Sequence, residues 1–144
     1  EGSTMGKAKP GWAVVTGASA GLGEEFARQL GARGHDLVLV ARRTARLEAL
    51  AEELKQARGV AVVPLSLDLG AADAPARLVA QLDERSIAPT LLVNNAGFGM
   101  HCYAVEAPLE RSLEMVQLNV TTLTDLSLRL GARMAQRGRG AIVN

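Results

Sequence analysis

The feature that most constrains this chain is its alternation of short apolar runs with stretches of helical periodicity. Trp12–Thr16, Asp36–Ala41, Val60–Leu67, Thr90–Val93 and Ala141–Asn144 read as five strands. The second is apolar on both faces, as a buried parallel strand is. Between the first two, Leu22, Phe26 and Leu30 form a helical stripe that Gly31 and Gly34 close. Thr44–Ala57 carries Leu47, Leu50 and Leu54 on one face and stops at Gly59. Asp73 is placed to cap a helix bearing Leu78, Val79 and Leu82. A long helical pattern runs from Pro108 to about Gln136, with Leu109, Leu113, Val116, Val120, Leu123, Leu130 and Met134 near one stripe, read as core. Strands and helices alternating at this spacing predict right-handed βαβ units, an α/β fold with a doubly wound parallel sheet. Pro64 inside the third run fits only a strand at or near an edge.

Composition narrows the function classes. The 144 residues are 48% apolar and 22% charged, an ordinary globular balance that excludes disorder. A net charge of +1 offers no field for nucleic acid or an anionic membrane. The single cysteine, Cys102, excludes an internal disulfide and a cysteine-based zinc site, so no metal is expected. No apolar run nears the ~20 residues of a membrane span, and no secretory pattern is present. The expectation is a cytoplasmic protein. Residues 1–10 read as a lead resembling an expression remnant, and 11–144 as one domain.

The turn after the first strand reads Gly17-x-x-x-Gly21-x-Gly23 and opens the first helix. In an open α/β sheet that position binds phosphate, because backbone N–H groups and the helix end point at the anion. The spacing is neither the P-loop nor G-x-G-x-x-G. With the Asn94-Asn95-Ala96-Gly97 run after the fourth strand, it resembles the short-chain dehydrogenase/reductase family over about Gly11 to Asn144. The resemblance implies a Rossmann-type sheet. It also implies that Gly17, Ser19, Ala20, Gly21, Leu22 and Gly23 line the cofactor pyrophosphate and ribose. Asp68 matches the family's adenine-contacting aspartate, beside Leu69, and a plain turn aspartate is its other reading. Asn95, Ala96 and Gly97 flank the nicotinamide-side ribose by the same resemblance.

The end of the second strand bears on the choice between NAD and NADP. An acidic residue there accepts from a ribose 2′-OH, whereas an arginine pairs with a 2′-phosphate. The chain reads Arg42-Arg43 with no carboxylate at the turn. That points to NADP, a pair of solvated arginines being the alternative.

The family's catalytic set is an Asn, a Ser and a Tyr-x-x-x-Lys pair acting in general acid–base catalysis beside the cofactor. By resemblance Asn119 is the catalytic Asn, with a satisfied core Asn as its other reading. The only tyrosine is Tyr103, followed four residues on by Ala107, and the lysines are Lys7, Lys9 and Lys55. The 144 residues are therefore expected to be the nucleotide-binding front half of an oxidoreductase acting on a carbonyl or alcohol, inactive by themselves. A sheet ordered 3-2-1-4-5-6 that stops at the start of strand five is incomplete. Its open edge and the surplus apolar positions of the long helix call for further polypeptide or a homo-oligomer. A non-catalytic dinucleotide-binding or regulatory module stays open, as does a methyltransferase, which lacks support from the glycine spacing. His101, Cys102 and Tyr103 read as loop lining, and His35 as a surface residue.

Overall fold

The computed structural model describes residues 9–144, so the expected lead over residues 1–10 falls, for 1–8, outside them. Lys9 and Pro10 are within, and the Pro10 carbonyl accepts from Thr90 Oγ1 at 3.0 Å and from Arg139 Nη2 at 2.6 Å.

Five parallel strands, β1 (Trp12–Thr16), β2 (Asp36–Ala41), β3 (Val62–Ser66), β4 (Pro89–Val93) and β5 (Ala141–Val143), form one sheet ordered β3-β2-β1-β4-β5. Side chains of a strand alternate between the two faces of its sheet. Ala13, Val15, Leu37 and Leu39 therefore face one way, against helices α1 (Gly21–Ala32) and α2 (Thr44–Arg58). Val14, Val38, Val40 and Leu92 face the other, against α3 (Ala74–Glu84) and α5 (Leu123–Gln136). Both layers are apolar across β1, β2 and β4, as a parallel sheet covered on two faces requires, whereas Ala141–Val143 of β5 is exposed. Pro64 sits in β3, an edge strand, where a missing N–H costs least.

Several local expectations change. The third strand is shorter than Val60–Leu67. Asp73 stands at the start of α3 yet makes no side-chain cap bond; Pro75 occupies the first turn, and the Asp73 carboxylate lies 3.9 Å from Arg77. His35 is half-buried, its Nδ1 lying 3.2 Å from the Gly11 carbonyl oxygen, and so is not a free surface residue.

The long helix is the largest correction. It comprises α4 (Leu109–Val116), a π-helical segment Gln117–Thr122, and α5, with right-handed helical dihedrals through both junctions. Leu126, Leu130 and Met134 are buried, but Leu109, Leu113, Val116 and Val120 are exposed, Leu109 at 72%. A single stripe read as core is thus core only along α5. The π segment shifts the phase of the helix, and α4 lies beyond the buried layer.

Candidate functional site

Ligands of open α/β sheets sit outside the carboxyl ends of the strands, where the strand order reverses. Here that reversal lies between β1 and β4. The loops after β1, β2, β3 and β4, with α4, enclose a cleft of about 870 Å³ at that edge, the size of a ligand site.

The β1–α1 turn depends on two close approaches. Gly17 has φ +64°, and a Cβ there would stand 2.9 Å from Ala96 Cα. A Cβ on Gly23 would stand 2.3 Å from the Gly17 carbonyl oxygen and 2.5 Å from Asn95 Nδ2. Gly23 is therefore buried against the turn and packs helix on strand instead of lining the cleft. Gly21 begins α1, exposed, with no described atom within 4 Å of where its Cβ would be. The residue before it, Ala20, has no side chain able to cap, so the first-turn N–H groups of α1 are left for another acceptor. An open approach and uncapped N–H groups fit a diphosphate.

A hydrogen-bonded knot joins this turn to the loop after β4. Thr16, 1% exposed, donates from Oγ1 to the Val93 carbonyl at 3.2 Å. It accepts from the N–H groups of Asn95 and Ala96, both at 3.0 Å. Asn95 Nδ2 donates to the carbonyls of Thr16 at 3.1 Å and Gly17 at 3.2 Å. Asn94 Nδ2 donates to Ser127 Oγ and to Asn144 Oδ1, both at 2.9 Å, tying β4 to α5 and the end of β5. Asn94 and Asn95 thus hold the sheet edge with their side chains. Ala96 and Gly97 line the cleft through small surfaces.

At the cleft's other end Arg42 and Arg43 are exposed, and among the described residues neither has a carboxylate within ion-pair distance. Asp68, also exposed, accepts the Gly70 N–H on Oδ1 at 2.9 Å. It is a turn aspartate by that bond, and with Leu69 it also lines the cleft.

Asn119 lies in the π segment. Its Oδ1 accepts the Phe98 N–H at 3.1 Å, and its Nδ2 donates to the Phe98 carbonyl at 2.8 Å. The amide is satisfied by the loop after β4, and Gly97 lies against it. Arg111 of α4 stacks over the Phe98 ring, 3.8 Å from its centroid, and pairs with Glu114 at 2.8 Å.

The structure gathers Gly17, Ser19, Ala20, Leu22, Arg42, Arg43, Asp68, Leu69, Asn95, Ala96 and Gly97 around one cleft; Gly21 and Gly23 do not line it. Sequence reasoning missed Thr16 as a structural centre, although it stands inside the glycine motif. It also missed Phe98, Arg111, Glu114 and Leu118, for which no periodicity or motif gave a signal. His101, Cys102 and Tyr103 are exposed outside the lining.

Sheet order, switch-point cleft and glycine turn define a Rossmann-like α/β fold. Within that class the chain belongs to the short chain dehydrogenase family, whose sequence profile matches residues 11–144. It is 38% identical over 142 residues to a very-long-chain 3-oxoacyl-CoA reductase of Laccaria bicolor, covering 97% of this chain and 42% of that protein. A short-chain dehydrogenase from Sphingobium yanoikuyae, solved in complex with NADPH, is 40% identical with a TM-score of 0.87, covering 93% of this chain and 52% of that one. L-Sorbose reductase from Gluconobacter frateurii, complexed with NADPH and L-sorbose, is 33% identical with a TM-score of 0.87, covering 93% and 51%. The chain spans about half the length of the relatives it matches. No helix among the described residues is long and apolar enough to cross a membrane.

Proposed function

We propose that this oxidoreductase chain binds NADP(H) in preference to NAD(H), for interconversion of a carbonyl and an alcohol on a small molecule. The observation that carries the preference is Arg42 and Arg43 at the end of β2, without an ion-pair partner among the described residues and with no acidic residue at that turn. A guanidinium matches a phosphate bidentately, while the turn carries no carboxylate to accept from a free ribose hydroxyl. The first turn of α1 with Ser19 and Leu22 receives the diphosphate, and Asp68 with Leu69 borders the adenine. Ala96 and Gly97 let the ribose on the nicotinamide side come close to the backbone. Asn119 fixes the Phe98 loop at that end, which is its contribution to catalysis in this reading. When bound, the cofactor supplies or accepts the hydride.

Residues 1–144 by themselves bind nucleotide and do not turn over, because Tyr103 with Ala107 makes no Tyr-x-x-x-Lys pair to move the proton. Leu109, Leu113, Val116 and Val120 recur on one exposed face of the helix and support a homo-oligomer formed through it. A cytoplasmic location belongs to the same proposal.

Calorimetric titration of both cofactors tests the reading. NADPH binds at least about tenfold more tightly than NADH, and Arg42→Asp reverses the order. Equal affinities in the unmodified protein refute it. A chain that binds both and reduces no carbonyl even as full-length protein would instead be a regulatory nucleotide-binding module.

A further inference from the structure

The helix bordering the cleft changes its winding once, and the two side chains it redirects there hold two separate cleft loops. In an α-helix, residues three apart lie roughly 60° apart around the axis. The wider π turn spreads them further. Asn119 and Thr122 are three apart within the π segment Gln117–Thr122. Asn119 reaches the loop after β4, bonding both backbone groups of Phe98. Thr122, 2% exposed, reaches the loop after β3, donating from Oγ1 to the Leu69 carbonyl at 2.7 Å. Among the described residues that hydroxyl is the one donor to this carbonyl.

The turn it holds is bonded within itself by Gly70 N–H on Asp68 Oδ1 at 2.9 Å and Ala71 N–H on the Asp68 carbonyl at 3.2 Å, and is joined to α3 at its far end by Ala74 N–H on the Ala71 carbonyl at 3.1 Å. It adjoins the Arg42 end of the cleft. Leu67 N–H donates to the Ala41 carbonyl at 3.0 Å, and Ser66 Oγ to the Arg42 carbonyl at 3.2 Å. The Asp68–Ala71 turn and the phosphate-binding arginines therefore serve the same half of a bound dinucleotide.

We propose that Thr122 is a positioning residue for the adenosine half of the cofactor, acting through the Leu69 carbonyl and never touching the ligand. The inference rests on the cleft binding NADP(H), as set out above. Its effect is confined to one end, because the nicotinamide side is held separately by Asn119 and the Thr16 knot.

The test compares Thr122→Val with Thr122→Ser in the full-length protein, below the melting temperature of each. Two fragments are titrated calorimetrically: 2′,5′-ADP for the adenosine half and reduced nicotinamide mononucleotide for the other. Thr122→Val weakens 2′,5′-ADP about threefold to tenfold, Thr122→Ser restores it, and mononucleotide binding is unchanged. A Val variant that does not fold is replaced by Thr122→Ala, with the same contrast against Ser. Unchanged 2′,5′-ADP binding, or an equal loss for both fragments, overturns the proposal while NADPH binding by the wild type stands. Wild-type protein that binds no NADPH overturns the reading beneath it.

Discussion

Thr16→Val replaces a buried hydroxyl by a methyl of similar volume, and the knot it unties carries a calculable cost. Three hydrogen bonds disappear: one donated to Val93 and two accepted from Asn95 and Ala96. The Asn95 N–H keeps a second acceptor, the Val93 carbonyl at 3.1 Å, whereas no other acceptor is found for the Ala96 N–H among the described residues. Ordinary net contributions of about 0.5–1.5 kcal/mol for each of the Val93 and Asn95 bonds, with about 1–2 for the Ala96 N–H left half-buried, sum to about 2–5 kcal/mol. A domain's whole stability is about 5–15 kcal/mol. In urea, with a slope of about 2 kcal/mol per molar, the midpoint falls by about 1–2.5 M. Thr16→Ser keeps every bond and loses one methyl, so it costs about 1 kcal/mol or less. Equilibrium urea unfolding of both variants against wild type measures the difference. A Val variant within about 0.5 kcal/mol of the Ser variant would refute the claim that this hydroxyl joins β1 to the β4 loop.

Gly23→Ala drives a methyl into the Gly17 carbonyl and the Asn95 amide; it destabilises by about 1–3 kcal/mol and weakens NADPH binding, read by thermal unfolding with and without cofactor. Leu113→Asp, at a side chain 58% exposed, dissociates the proposed oligomer by at least about tenfold in Kd without lowering the monomer's stability, read by sedimentation. Two hydrogen bonds from Arg28 hold the Glu53 carboxyl below its ordinary value of 4.5. A lowered folded-state pKa gives stability that is present above the unfolded value and lost as pH falls through the folded one. Glu53→Gln therefore costs a few tenths of a kcal/mol near neutrality, given its exposure, and the difference from wild type vanishes in acid; a cost that persists at low pH rejects the ion pair as its source.

The sheet was legible because its strands are short apolar runs set between helical stripes, and each helix but one shows a clean stripe. Strand order followed from the doubly wound class, and Pro64 agreed with a place at or near an edge for the third strand. The long helix misled because periodicity reads phase at a fixed pitch. Six π-helical residues, Gln117–Thr122, break that phase, so Leu109 to Val120 look continuous with the buried Leu126 and Leu130. Within the site, the cleft-lining residues of the glycine turn and the strand ends were readable from motif and strand end. Thr16, Thr122 and Arg111 act through contacts between elements distant in sequence, and their type and spacing carry no mark of it. Gly23 was legible from the motif, and the close approach its missing Cβ permits to Gly17 and Asn95 was not.

The central claim is that NADP(H) lies in the switch-point cleft between the β1 turn, the ends of β2 and β3, and the loop after β4. Amide hydrogen–deuterium exchange with and without saturating NADPH tests it directly. The account predicts new protection in 17–23, 42–43, 67–71 and 95–98, with the cleft-remote helix α2 unchanged beyond any global stabilisation. Protection confined to other segments, or none at saturating NADPH, would contradict it.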